Sequence, residues 1–162
     1  MTPDLSLVDL SWLAMAAYAV HILEEYTFDW RNWARGVIGL PVEWPDFYVT
    51  NSVVVALGIA QGMLAPTLPW APLTYAALML INACFFHILP FVATRGRFSP
   101  GLVTAVVLFL PLGIAIFAAA AAAGRLDFVT ATGAVVGGAL LMASPVVMLK
   151  LKDKPYFVQR RG

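Results

Sequence analysis

The sequence predicts an all-α fold, a polytopic membrane helix bundle of about five transmembrane helices with a short interfacial helix after the first. Three observations carry that expectation. The chain is 61% hydrophobic and only 12% charged, with mean hydropathy +0.84, which lies outside the range of soluble globular domains. It divides into five apolar stretches, each close to the ~20 residues that a bilayer-crossing helix needs. Its lysines and arginines are segregated into alternate connections, the pattern that sets membrane topology. A length of 162 residues suits a single transmembrane domain, and neither a repeat nor a linker divides it. A net charge of +1 gives no reason to expect a nucleic-acid partner. Cys84 is the only cysteine, so an intrachain disulfide and a cysteine-based zinc site are both excluded, and it reads as a small buried hydrophobe.

The elements follow in order. Met1 to Ser6 has no basic region and no small-residue cleavage site follows the first apolar run, so span one, about 8–28, is expected to be retained. Ser6 and Asp9 have capping-box spacing, with Asp in place of the usual Glu or Gln. The next stretch is too polar to cross. In it Trp30, Trp33, Ala34, Val37 and Ile38 share one helical face, Arg31, Asn32 and Arg35 share the other, and Asp29 is a good N-cap. This predicts an interfacial helix over about 30–38, closed by Gly36, Gly39 and Pro41, with Trp30, Trp33 and Trp44 as an aromatic belt or a lid.

Span two, about 47–64, carries Asn51 and the small-residue pair Gly58 and Gly62. Pro66, Pro69 and Pro72 make the turn into span three, about 73–94, which carries Asn82, His87 and Pro90. Arg95, Gly96 and Arg97 lead to span four, about 100–123, and Gly124 to Asp127 to span five, about 128–149, with Gly133, Gly137 and Pro145. A basic tail, 150–162, ends the chain. The two Gly-x-x-x-Gly patterns mark close helix contacts, within the chain or between copies in a homo-oligomer. Nine of the ten basic residues fall on one side and only Arg125 on the other, so the N-terminus is expected outside and the C-terminus in the cytoplasm of a bacterial-type inner membrane.

The functional expectation rests on His21-Ile22-Leu23-Glu24-Glu25, ionisable groups near the end of an apolar span. Charged side chains at membrane depth cost several kcal/mol each unless paired, protonated, hydrated or bound to a metal, so such a cluster reads as a site. His21, Glu24 and Glu25 stand at i, i+3 and i+4 on one helical face, which Tyr18 shares. Asn51 and His87 lie at a similar depth on spans two and three. Pro90 also leaves the carbonyl of Phe86 without its helical partner, next to His87, and widens the bundle there. Asn82, about 140° around the helix from His87, stands behind these groups as a support.

Four arrangements satisfy this constellation. His21, Glu24, Glu25 and His87 hold a divalent metal ion (zinc, iron or manganese), with a free carboxylate as general base. A metal-free His/Glu pair moves a proton on a lipophilic substrate; with or without a metal, Glu24, Glu25, Asn51 and Tyr18 are the candidate catalytic groups. His21 and His87 ligate a heme, against which the two adjacent carboxylates argue. Or the carboxylates pair with His87, Arg31, Arg35 or Arg95 and hold three helices together.

At these residues the sequence resembles the HXXEE family of small integral membrane proteins, whose motif stands here as His21, Glu24 and Glu25, with Asn82 and His87 in the middle span. The resemblance implies the architecture and the site; the family has no established activity, so it implies no reaction. A looser likeness, without a shared motif, is to five-helix sterol isomerases of the emopamil-binding kind. The leading expectation is therefore a metal-dependent membrane enzyme, hydrolase- or isomerase-like, acting on a lipid or isoprenoid-like substrate. The alternatives are a proton or metal-ion transport protein and a non-enzymatic lipid-binding protein.

Overall fold

The computed structural model describes residues 5–152 and 154–158, so Arg160 and Arg161 of the basic tail lie outside the described residues. These residues form six helices and no strand: α1 (Leu7–Thr27), α2 (Trp30–Val37), α3 (Trp44–Leu64), α4 (Trp70–Ala93), α5 (Leu102–Ala122) and α6 (Phe128–Leu151). All but α2 are long and apolar enough to cross a membrane, and the chain is built as an integral membrane protein.

The helices start where local chemistry directs. At α1, Ser6 Oγ accepts from the Asp9 amide at 3.2 Å and Asp9 accepts from the Ser6 amide at 3.0 Å, the reciprocal box read from the sequence. Asp29 caps α2 by accepting from the Asn32 amide and, at 2.6 Å, from its side-chain amide; it does so with φ of +59°, a left-handed conformation that Asp tolerates better than most residues. The apolar face of α2 buries Trp33 and Ala34 against Leu40, Val42 and Leu149.

Helix α4 is the central strut, with Leu73, Tyr75, Ala76, Ala77, Leu78 and Met79 buried. It packs on α6, α5, α3 and α1. Glycines let those contacts close. Gly58 lies against Tyr75 and Met15, Gly62 against the Trp12 indole, Gly133 against Trp70, Gly137 against Thr74 and Gly138 against the backbone of Leu78. Both Gly-x-x-x-Gly pairs, read as marks of close helix contact within the chain or between copies, meet neighbouring helices of the bundle. Cys84, expected to be buried, is instead exposed beside Phe85 on the outer face of α4.

Two spans are locally underwound and widened. Ala83–Ile88 in α4 and Ala105–Phe109 in α5 are π-helical turns, each running up to a Leu-Pro pair, with Leu89 N–H donating to Cys84 and Leu110 N–H to Ala105. Such turns concentrate where a helix must re-aim a side chain. The two segments touch each other near the arginine-rich end. That end is tied by ion pairs of its own: Glu43 takes both Arg31 and Arg35, and Asp46 takes Lys152 at 2.7 Å. The hydrogen bond from Arg31, more than its charge or that of Arg35, holds the Glu43 carboxyl below the usual carboxylate range. Those arginines are therefore not partners of Glu24 or Glu25.

A Cβ at Gly138 would stand 2.7 Å from the Leu78 amide nitrogen, where backbone must move, whereas one at Gly36 meets nothing within 4 Å. Gly138→Ala is expected to destabilise by ~1–3 kcal/mol through overpacking and lower the melting temperature in detergent. Gly36→Ala should leave it unchanged or raise it. Equal melting of both variants would refute this account of the α4 and α6 contact.

Candidate functional site

The buried stripe of α1 is Leu10, Ala14, Ala17, Tyr18, His21, Glu24 and Glu25, so the helical period that buries the small residues also turns the polar motif inward. His87 comes from the π-helical turn of α4, and both imidazoles are fully buried. The two rings meet edge to face, 4.8 Å between centroids, and His21 also lies against Phe109 of α5 at 4.3 Å. One Glu25 carboxylate oxygen stands 3.5 Å from Nε2 of His21 and 3.5 Å from Nε2 of His87. The three atoms lie within 4.8 Å of one another.

The other ring nitrogens decide the protonation pattern. His21 Nδ1 is 2.8 Å from Thr104 Oγ1, whose single proton is directed at the Glu24 carboxylate, 2.6 Å away. Thr104 therefore accepts from His21, and the proton of the neutral imidazole sits on Nδ1. His87 Nδ1 is 3.1 Å from Ser99 Oγ, and Ser99 donates to the Phe86 carbonyl at 3.4 Å. Phe86 O is the carbonyl that an α-helical register leaves open at Pro90, and where Ser99 gives its proton to it, His87 donates to Ser99 through Nδ1. Assigned from this network, both Nε2 atoms present lone pairs to a carboxylate oxygen, and neither has a hydrogen-bond partner. With both rings neutral and their protons on Nδ1, three acceptors would face one another, an arrangement that a cation, whether a proton or a metal ion, makes favourable.

Glu24 has a different task. Its carboxylate accepts from the amides of Gly101 (3.1 Å), Val103 (3.1 Å) and Thr104 (2.8 Å), as well as from the Thr104 hydroxyl. These are the exposed amides of the first turn of α5, where an anion is favoured. The N-cap of α5 is Gly101, which has no side chain to do this work. It can be nothing larger: with φ of +93°, its Cβ would lie 2.6 Å from His87, 2.7 Å from His21 and 3.0 Å from Glu25. Glu24 thus supplies from α1 the cap that Gly101 lacks.

Of the expected site residues, the structure brings together His21, Glu25 and His87. Three others lie apart from these donors. Glu24, expected as ligand or general base, has both oxygens engaged by α5 and does not join the donors. Asn51, expected beside the cluster, lies across α1 from it, lining an open groove of about 690 Å³ with Ile22, Leu23, Tyr26 and Tyr48. Equal depth did not mean equal face. Asn82, expected to support His87, points its amide at Met142 Sδ, 3.9 Å away. Tyr18 stands where expected, edge-on to His21 at 5.8 Å. Sequence reasoning missed Ser99, Gly101 and Thr104. Ser99-Pro100 reads as an ordinary helix start, and nothing local signals that the Ser99 hydroxyl reaches back to α4.

A family model described as a protein of unknown function with HXXEE motif matches residues 12–116, which contain every residue of this cluster. No curated protein and no solved structure matches the chain.

Charged hydrogen bonds contribute ~1.5–3 kcal/mol each, so in chelator-treated protein Glu24→Ala is expected to lower the melting temperature well below that of Glu25→Ala, which removes one of three mutually repelling acceptors. Equal losses would show that the two carboxylates are interchangeable and would overturn the assignment.

Proposed function

We propose that this chain, which belongs to the HXXEE-motif family of proteins of unknown function, is an integral membrane enzyme holding a divalent metal ion between His21, Glu25 and His87. The observation that carries this reading is the convergence of three lone pairs whose protons are fixed elsewhere by Thr104 and Ser99. The spacing favours a metal ion over a shared proton. Charge-assisted N–H···O bonds run to about 2.7–2.9 Å, shorter than the 3.5 Å separations here. Donors around a tetrahedral ion with bonds of ~2.0–2.1 Å stand ~3.3–3.4 Å apart, close to the two separations from Glu25, while all three donor atoms lie within 4.8 Å of one another.

Two imidazoles and a carboxylate suit zinc, iron or manganese. Three protein donors also suit catalysis more than structure, because structural sites are closed by four. A metal ion held there would act as a Lewis acid on a bound water or on a substrate oxygen. The chain's own residues do the rest: Thr104 and Ser99 hold the imidazoles in the metal-binding tautomer, and Glu24 fixes Thr104. Burial among apolar spans supports a lipid-like substrate. The arginine bias supports a site near the cytoplasmic face.

Purified without chelator, the protein is expected to hold one divalent metal ion per chain by elemental analysis. His21→Gln, Glu25→Gln and His87→Gln should each lose most of it, while Glu24→Gln keeps the greater part. At a metal concentration 100 times the dissociation constant, binding adds ~2.7 kcal/mol, so EDTA should lower the melting temperature and the cognate metal restore it. A preparation without stoichiometric metal, whose melting is indifferent to EDTA and to added zinc, iron and manganese, would leave the proton-sharing His/Glu arrangement in its place.

A further inference from the structure

Next to the His21, Glu25 and His87 cluster, at the arginine-rich end, is an open groove of about 420 Å³ lined by Phe28, Asp29, Asn32, Trp33, Arg97, Phe98 and Pro100. Its volume is in the range of small-ligand sites, ~300–1,000 Å³. Pro100 forms part of its wall, and the following residue, Gly101, is the one pressed against the two imidazoles. The groove is therefore separated from the cluster by the chain at Pro100 and Gly101.

Its charges are unusual in not cancelling. Asp29 and Arg97 line the same space yet form no ion pair with each other, and among the described residues Arg97 has no carboxylate partner at all. The arginines of α2 behave differently, since Arg31 and Arg35 are both paired with Glu43. Each Asp29 oxygen accepts one hydrogen bond from Asn32 and has a lone pair left. A wall with an exposed guanidinium and a carboxylate that do not pair with each other complements a ligand that carries both an anionic oxygen group and a cationic donor. The aromatic rings of Phe28 and Phe98, stacked edge to face at 5.5 Å and both exposed, offer an apolar exit for whatever is attached to that ligand.

We propose that this groove binds the head of a zwitterionic phospholipid bearing a phosphate and a primary ammonium group, with the phosphate on Arg97, the ammonium on Asp29, and the acyl chains leaving past Phe28 and Phe98. Lipid is the source because the groove opens at the level where headgroups lie, at the end of five apolar spans. That this lipid is also the substrate rests on the reading of the cluster as a catalytic metal centre; its binding does not.

The test is native mass spectrometry of the full chain released from dodecylmaltoside micelles doped with equal amounts of dioleoylphosphatidylethanolamine and dioleoylphosphatidylcholine, with phosphatidic acid in a separate arm. Asp29→Asn keeps an N-cap that tolerates the left-handed conformation, so it removes the charge without removing the helix start. The wild-type chain is expected to retain the ethanolamine lipid over the choline lipid by about tenfold, and Asp29→Asn to bring the ratio close to one. Arg97→Gln should lower retention of every phosphate-bearing lipid by about tenfold, and Arg95→Gln, whose side chain does not line the groove, should change nothing.

Retention that ignores Asp29 and Arg97, or that falls equally with Arg95→Gln, would overturn the site in favour of general charge attraction. Displacement of the lipid by free phosphoethanolamine at the same concentration would overturn the choice of a lipid ligand. Metal content separates the two readings: chelator-treated protein that still retains the ethanolamine lipid supports the groove whatever becomes of the metal centre. A metal-loaded chain without lipid preference sinks the groove alone.

Discussion

The arrangement depends on one steric constraint at Gly101. Fully buried imidazoles from α1 and α4 leave no room for a Cβ there, so the residue that begins α5 is one that cannot cap it. The amides of that first turn would otherwise sit unsatisfied in an apolar region, at a cost of several kcal/mol. Glu24 satisfies them from a neighbouring helix. In doing so it docks α5 against α1 and sets Thr104 beside His21. Space, cap and tautomer are thus one linked arrangement, and a change at any of the three residues is felt by the other two.

The same economy operates on the α4 side. Pro90 frees a carbonyl, Ser99 takes it, and the hydroxyl so oriented fixes the proton of His87. Two hydroxyls, one donating to the Glu24 carboxylate and one within reach of the Phe86 carbonyl, engage the Nδ1 atoms and leave both Nε2 atoms aimed at one carboxylate oxygen. The π-helical turns in α4 and α5 are what bring His87 and Phe109 to the same level as His21. Ordinary α-helical turns at those positions would rotate these side chains by a large fraction of a turn.

Several of these features are legible residue by residue. The Ser6 and Asp9 box, the Asp29 cap, the five spans and the interfacial helix follow from side chains acting within one turn of themselves, where spacing is the whole of the geometry. Pro90 announces a free carbonyl because it lacks an N–H. His21 and Glu25 share a face because 3.6 residues make a turn, and that holds whatever surrounds the helix. Depth is less informative: Asn51 has a depth near that of the cluster but the opposite bearing, and depth carries no information about rotation around α3.

By itself, then, the sequence determined the class of the protein, the number and extent of its spans, and the pairing of one imidazole with carboxylates on a single inward stripe, because all of these are consequences of composition and helical period. The tertiary structure alone decided that Glu24 serves α5 while Glu25 meets the histidines, that Ser99 and Thr104 assign the protons, and that Gly101 closes the site. The physical reason is that hydrogen bonds between different helices depend on their relative rotation and approach. Those are fixed by which small residues allow two backbones to touch, and no run of neighbouring residues encodes that.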